Sequence, residues 1–387
     1  MGGVMPVPAV CGGAIETLIT SIVKKYSKED GFHLTIFSVY HKEAVEAAKK
    51  YPDVRFVWTH TNTFWNLSKH AVFLAVRELT GKTIRVLQRH YNEIAPVIQN
   101  EKFDLLIVEG GDEQAVIDIA KGYTREQLVF HAHVHFIPKE KTVCGYGHMI
   151  GVSEFVVREY EKACKIPVDT HVLKNAIDLD KFNKTISEEE RHILRKKLGL
   201  QQDDFVVLYV GRLIQVKGIL ELMQAVLSIN DKHVKLLVVG STNFGKWAFS
   251  SYERKVKRIF EQNKNRIIFT GYVDNAEVYK YASVADVQCV PSLWEEAAGL
   301  VVIEAMAEGL PLIVTKSGGV IEYVDKSIAM IIDKDSIVNK LKSAICYMKE
   351  HPEIRQQIAE ESRKKSKLYD EKLYYKNFVK MIRAIME

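Results

Sequence analysis

Two carboxylates, Glu296 and Glu304, stand eight residues apart in the segment PSLWEEAAGLVVIEAMAEGLP, residues 291–311. The first falls in a turn after an apolar run. The second lies among Val301, Val302, Ile303, Ala305, Met306 and Ala307, on a helix that begins at Gly299. A carboxylate buried there without a partner is costly. Ribose or hexose hydroxyls are suitable partners, because an ionised carboxylate accepts two of them at once. The alternative is a Glu304 facing solvent from the polar side of an amphipathic helix. Upstream, Gly211-Arg212 ends the run FVVLYVG and Lys217-Gly218 opens the next helix. Two cations and a helix N-terminus at one place suit a diphosphate. The spacing is not that of a Walker loop, and each cation read alone also fits an ordinary solvated surface charge.

The run HAHVH, residues 131–135, ends another apolar stretch. Alternation puts His131, His133 and His135 on one side of an ideal strand. Metal binding, a purely structural role and contact with a sugar are all open for them, with His133 the preferred functional residue. No carboxylate or cysteine at a suitable spacing completes a metal set. Two D-x-D triplets, Asp178-Leu179-Asp180 and Asp333-Lys334-Asp335, fall where aspartates routinely cap helices and are set aside.

The elements that must position these residues alternate short apolar, β-branched runs with longer amphipathic ones, at 205–211, 235–240, 266–273, 286–292 and 310–319. The first half repeats this less cleanly at 33–39, 54–60, 103–110, 128–134 and 148–153. This is the βαβ signature of parallel sheets covered on both faces. The expected fold class is α/β, with two doubly wound Rossmann-like domains facing across a cleft. Residues 1–176 form the first domain and 177–368 the second, and a helix over 369–387 packs back on the first. The stretch 178–204 carries no strand run and reads as a linker with a helix. A doubly wound domain normally opens with a strand feeding a glycine-rich turn. Here GGVMPVPAVCGGAIE starts almost at once, so the first strand is expected to be missing or truncated.

The chain has 387 residues, 47% of them hydrophobic, enough for a large core, and its formal charge of +5 is too mild to require nucleic acid. Five scattered cysteines without a CxxC pair indicate neither a disulfide framework nor a zinc cage. With no apolar run of membrane-spanning length and no signal-peptide pattern, a cytoplasmic protein is expected. Residues 64–91 combine Phe64, Trp65, Phe73 and Leu74 with Lys69, Arg77, Lys82, Arg85 and Arg89. That composition suits either a peripheral helix on an anionic membrane or a helix packed on the sheet.

The segment with Glu296 and Glu304 resembles the E-x7-E signature of retaining GT-B glycosyltransferases, family 4, also called glycosyl transferases group 1. Gly211-Arg212 with Lys217-Gly218 resembles that family's GR…KG motif. Gly12-Gly13-Ala14, NAID at 175–178, YASVADVQCVPS and SGGVIEYV at 317–324 extend the match over almost the whole chain, in family order. PVPAVCGGAI, GSTNFG and the tryptophan before Glu296 are similar to bacterial capsule, exopolysaccharide and spore-coat members.

The resemblance implies that Arg212 and Lys217 neutralise the donor diphosphate, Glu304 holds the ribose and Glu296 holds the transferred sugar. It implies that Gly299 and Leu300 offer backbone amides to phosphate and that Tyr272 and Val273 lie by the base. Gly12 and Gly13 allow close main-chain approach, and His133 touches sugar or acceptor. It further implies transfer of a hexose, most directly from a UDP-sugar, to a glycan or lipid-linked acceptor in cell-surface polysaccharide synthesis, with no cofactor and no metal. An epimerase, a phosphorylase and a non-catalytic carbohydrate-binding or coat protein share the fold and stand as rivals. Ala298 departs from the family's usual phenylalanine, which puts the pocket for the donor sugar in doubt.

Overall fold

The structure is a computed structural model that describes residues 5–60, 89–135, 140–182, 184, 186–241 and 251–387. Most of the 64–91 segment and of the GSTNFG loop lies outside the described residues. The chain divides into two compact units, one of Met1–Asn175 with Glu371–Glu387, the other of Ala176–Asp370.

Unit 2 is built on one six-stranded sheet. Its strands are β7 (Phe205–Val210), β8 (Val234–Val239), β9 (Ile267–Gly271), β10 (Val287–Val290), β11 (Leu312–Thr315) and β12 (Ala329–Ile332). Their order is β12-β11-β10-β7-β8-β9, and every pairing is parallel. Crossover helices cover both faces, so the central strand β7 is apolar along its length; its Val206, Val207 and Leu208 are fully buried. One core layer packs Val302, Ile303 and Met306 against Leu208 and Leu312, and the other packs Leu222 and Val226 against Val207 and Leu236. The linker helix Glu188–Lys197 begins with a capping box, in which Ser187 Oγ accepts from Glu190 N and Glu190 Oε2 accepts from Ser187 N.

Unit 1 carries β1 (Thr35–Val39), β2 (Arg55–Thr59), β3 (Leu106–Glu109), β4 (Leu128–Ala132), β5 (His148–Gly151) and β6 (Asp169–Val172). They form two separate parallel sheets, β1-β2 and β3-β4-β5-β6. The helix Ala14–Lys25 buries Leu18, Ile19 and Ile22. The last helix, Glu371–Met386, buries Tyr374, Phe378, Val379 and Ile382 within this unit. Glu371 ties the two helices together, accepting from Ser21 Oγ at 3.1 Å and pairing with Lys25 Nζ at 3.0 Å.

Two strands escape the sequence pattern. β6 reads Asp-Thr-His-Val and β12 reads Ala-Met-Ile-Ile. Both are four-residue sheet edges, too short to show a period and, for β6, too polar to show a run. Among the described residues no helix is long and apolar enough to cross a membrane.

Candidate active site

In unit 2 the loops leaving β7, β8 and β9 are packed backbone to backbone. Gly211 N donates to Val239 O at 3.0 Å, and Gly240 N donates to Gly271 O at 2.9 Å. Gly240 sits at φ +139°, and a Cβ there would lie 2.0 Å from Gly211 O. Only glycine allows that approach. Beyond Gly211 the chain makes a short turn, Gln215–Lys217, then enters the helix Ile219–Ser228 through Gly218. Gly218 has φ +69°, and a Cβ would meet Pro291 O at 1.9 Å. Leu293 N also donates to Val216 O at 2.8 Å. The Lys217 turn is thereby clamped to the loop that carries Glu296.

Lys217 Nζ and Glu296 Oε1 are 2.6 Å apart, and Ser292 Oγ donates to the same oxygen at 2.6 Å. Glu296 is buried. Its own backbone is fixed as well, since Glu296 N donates to Ser317 Oγ at 3.2 Å and Gly319 N donates to Glu296 O at 2.7 Å. Lys217 Nζ also lies 5.6 Å from the centre of the Trp294 ring, within cation–π range. Glu295 accepts from Gly318 N and pairs with Lys334, which also donates to Trp294 O at 3.1 Å. The carboxylate is therefore held in a preset orientation while one cation stays beside it.

Gly299 caps the helix Leu300–Glu308 with no side-chain partner, leaving first-turn amides at a helix N-terminus. Arg212 is exposed on the β7 loop and makes no side-chain hydrogen bond or ion pair among the described residues. The structure joins Lys217 to Glu296 and places Arg212 only on the same loop. Tyr272 is exposed just after β9, with Val273 packed on the core beside it. Two residues further on, Asn275 Nδ2 reaches Glu304 Oε1 at 3.4 Å. Glu304 is thus tied to the Tyr272–Asn275 loop.

Burial pushes the Glu304 carboxyl up to about 7. It pushes Glu308, one helical turn on, up to about 9, with the Glu304 charge adding to the effect. Both values exceed the unfolded range near ~4.3. The folded chain therefore keeps protons that the unfolded chain has released, and stability declines as pH rises from that range towards the folded values. Buried neutral histidines such as His133 act in the opposite sense between about pH 5 and pH 6.5, so the expected result is a difference: from about pH 5 to about pH 8 the melting temperature of Glu304→Gln should change less unfavourably than that of the wild type. Thermal unfolding of the two proteins at both pH values checks it.

In unit 1, Gly12 and Gly13 have φ +78° and +101° and lead into the helix Ala14–Lys25. The strand register sets Glu109 opposite His131. Glu109 Oε2 lies 2.9 Å from His131 Nδ1 and 2.6 Å from His133 Nε2. Burial raises the Glu109 carboxyl, but the two histidines outweigh it and hold the group below the usual carboxylate range. Burial, then the His131 charge, lowers His133 to about 4 against the pull of Glu109. At neutral pH the His133 ring is uncharged. Glu109 takes its Nε2–H and leaves buried Nδ1 as an acceptor with no protein partner among the described residues.

His135 does not join this cluster. β4 stops at Ala132, so the period of two does not carry on, and His135 lies 3.8 Å from Glu159 instead. The D-x-D aspartates 333 and 335 pair with Lys340 at 3.1 and 2.8 Å. Glu109, Ser292, Ser317 and Glu308 were not singled out from sequence. Only Ser292 offered a local signal, four residues before Glu296. The rest act through partners brought in by the sheet or by burial.

Two parallel doubly wound α/β units, the second with its polar groups at the strand ends, define a protein of the GT-B class. Solved structures share the fold. HepE of Anabaena aligns with a TM-score of 0.70 and 18% identity over 96% of each chain. A glycosyltransferase from Rickettsia africae aligns at 0.73 and 18%, over 98% of this chain and 96% of that one. Residues 190–365 match the family model of glycosyl transferases group 1. The chain shares the GT-B fold, and its residues 190–365 are similar to glycosyl transferases group 1.

Among its relatives, an uncharacterized glycosyltransferase of Methanocaldococcus jannaschii is 33% identical over 170 residues, 42% of each chain. Lipopolysaccharide 1,2-N-acetylglucosaminetransferase of Salmonella typhimurium is 29% identical over 61% of each chain. Spore coat protein SA of Bacillus subtilis is 22% identical over 83% of this chain and 81% of that one. The matches to the first two thus span less than two thirds of those relatives' length.

Proposed function

We propose that the protein transfers a hexose from a nucleoside diphosphate sugar, most directly a UDP-sugar, to a hydroxyl of a glycan or lipid-linked acceptor, with retention at the anomeric carbon. The observation that carries this reading is the Lys217–Glu296–Ser292 constellation, 2.6 Å at each contact, beside the uncapped start of a helix. One cation and backbone amides meet a diphosphate there, while an oriented carboxylate meets hydroxyls.

In the step, the acceptor oxygen bonds to the anomeric carbon and the bond from that carbon to the diphosphate oxygen breaks. The acceptor proton passes to that leaving oxygen on the same face. Negative charge gathers on the diphosphate, where Lys217, Arg212 and the amides of Gly299 and Leu300 offset it. Glu296 positions the transferred sugar, and Glu304 accepts from the ribose hydroxyls near Tyr272 and Val273. His133, neutral and with Nδ1 open, offers a hydrogen-bond acceptor to a hydroxyl and takes no proton in the step.

Supporting the donor class, HepE was solved with UDP, with UDP and glucose, and with UDP-glucose. Relatives named for lipopolysaccharide and teichuronic acid synthesis support a cell-surface acceptor. Incubating the protein with UDP-glucose, UDP-N-acetylglucosamine and GDP-mannose and measuring nucleotide release tests the reading; no release from any would contradict it. With cationic side chains on the diphosphate, no divalent metal is needed, so excess EDTA is expected to leave the rate within about twofold. A loss of on the order of tenfold or more, restored by a divalent cation, would reassign charge stabilisation to a metal.

A further inference from the structure

Three polar side chains converge at the edge of the four-stranded sheet of unit 1. His148 opens β5, and Asp169 and His171 stand two apart on the edge strand β6. The parallel register sets His148 opposite Asp169 and Ile150 opposite His171, so all three side chains leave the same face. His148 Nδ1 lies 2.9 Å and His171 Nε2 lies 2.7 Å from one oxygen, Asp169 Oδ2. The three candidate ligand atoms all fall within 4.8 Å of one another.

The backbone that presents them is fixed. Asp169 N donates to Gly147 O at 2.9 Å, and Gly147 N donates to Arg125 O at 2.6 Å. Arg125 Nη2 donates to Tyr146 O and to Pro167 O, at 2.9 Å each, and so holds together the segments that lead into β5 and β6. On the opposite face of β6, Thr170 Oγ1 donates to Glu161 Oε1 at 2.9 Å, from the helix Glu154–Ala163. The histidine face is open instead: 54% of the Asp169 side chain and 24% of that of His171 are exposed, which gives an ion a path in from solvent.

Two imidazole nitrogens and a carboxylate oxygen suit zinc and its neighbours among the late divalent transition metals, not magnesium or calcium. Ligand atoms around a tetrahedral zinc stand about 3.3 Å apart. The two contacts to Asp169 need open by only roughly half an ångström to admit the ion, which side-chain rotation at a sheet edge supplies. Two other histidine–carboxylate groups occur among the described residues. In Asp203, Asp204 and His233, Lys235 Nζ lies 3.8 Å from Asp204 Oδ1 and offsets its charge. Glu109, His131 and His133 belong to the candidate active site, and fully buried Ile150, the register partner of both His131 and His171, separates that group from this one. Among the described residues no lysine or arginine pairs with Asp169.

We propose that His148, Asp169 and His171 form a binding site for one zinc-class divalent ion, with water completing its coordination. The ion ties β6 to β5. β6 is a four-residue edge and the last strand before the chain leaves unit 1 at Asn175, so the site stabilises that edge and takes no part in sugar transfer. This is independent of the reaction proposed above.

Protection of histidines from diethyl pyrocarbonate, mapped by peptide mass spectrometry on the untagged 387-residue chain, tests it. The reagent attacks the free lone pair of a neutral imidazole. A bound ion occupies one nitrogen and leaves the proton on the other, so neither can react. With zinc at about ten times its dissociation constant, modification of His148 and His171 is expected to slow on the order of tenfold, while exposed His192 keeps its rate. Magnesium is expected to protect neither histidine. Unchanged rates at His148 and His171 with zinc, or equal protection by magnesium, overturns the proposal. Zinc should also raise the melting temperature of the wild type by several degrees and leave those of Asp169→Asn and His171→Gln unmoved; an equal rise in the variants overturns it as well. The protection assay needs no variant, so it decides the matter even where a variant fails to fold.

Discussion

Replacing Lys217 with alanine is expected to lower kcat/KM for the donor by on the order of 10²–10³, as removal of one charge-stabilising donor does elsewhere. The fall should appear mainly in kcat, because in the proposed reaction the charge that Lys217 meets grows as the glycosidic bond breaks. The substitution also leaves the buried Glu296 carboxylate with Ser292 as its remaining side-chain partner among the described residues. Losing one member of a buried ion pair is destabilising, so melting temperature must be followed beside the rate. Lys217→Arg keeps the charge and separates the two effects. It should hold the fold while recovering only part of the rate, since the guanidinium cannot reproduce the 2.6 Å contact made by the ammonium. Steady-state kinetics on folded protein decide the matter.

Glu296→Gln is the second large effect. Hydrogen bonds from sugar hydroxyls to a charged acceptor are worth about 1.5–3 kcal/mol, so kcat/KM should fall roughly 10- to 150-fold. The amide keeps the acceptor for Ser292 but gives up one of two charged oxygens and the pair with Lys217. If the hydroxyl contacts strengthen in the transition state, the loss divides between KM and kcat. If Glu296 only held Lys217 in place, the affinity for UDP alone would change as much as that for the sugar nucleotide. Comparing inhibition by UDP with turnover of the donor distinguishes the two roles.

The acidic pair eight residues apart was visible in the sequence, as were the Gly211-Arg212 and Lys217-Gly218 motifs, because each is local. The reason they stand together was not visible. Lys217 and Glu296 meet because Gly218 lets its turn lie on Pro291, a contact between chain positions far apart. The sequence leaves Glu304 open between a carboxylate in need of partners and one facing solvent, and its partner, Asn275, comes from the loop after β9. His133 was picked out from a histidine run, but its orientation comes from Glu109 on the neighbouring strand. A register between β3 and β4 leaves no trace in either segment alone. Continuous apolar runs gave the central strands, whereas the short edges β6 and β12 lacked a pattern to read.

The central claim is that the Lys217–Glu296 constellation serves transfer from a nucleotide sugar. It is tested most directly by following nucleotide release and sugar transfer for the wild-type protein and Lys217→Ala on the same donor panel. NMR of the product reads the anomeric configuration. The account predicts release from at least one nucleoside diphosphate sugar, a product of retained configuration, and a loss on the order of 10² or more in the folded variant. Turnover in Lys217→Ala matching the wild type, or a product of inverted configuration, would contradict it.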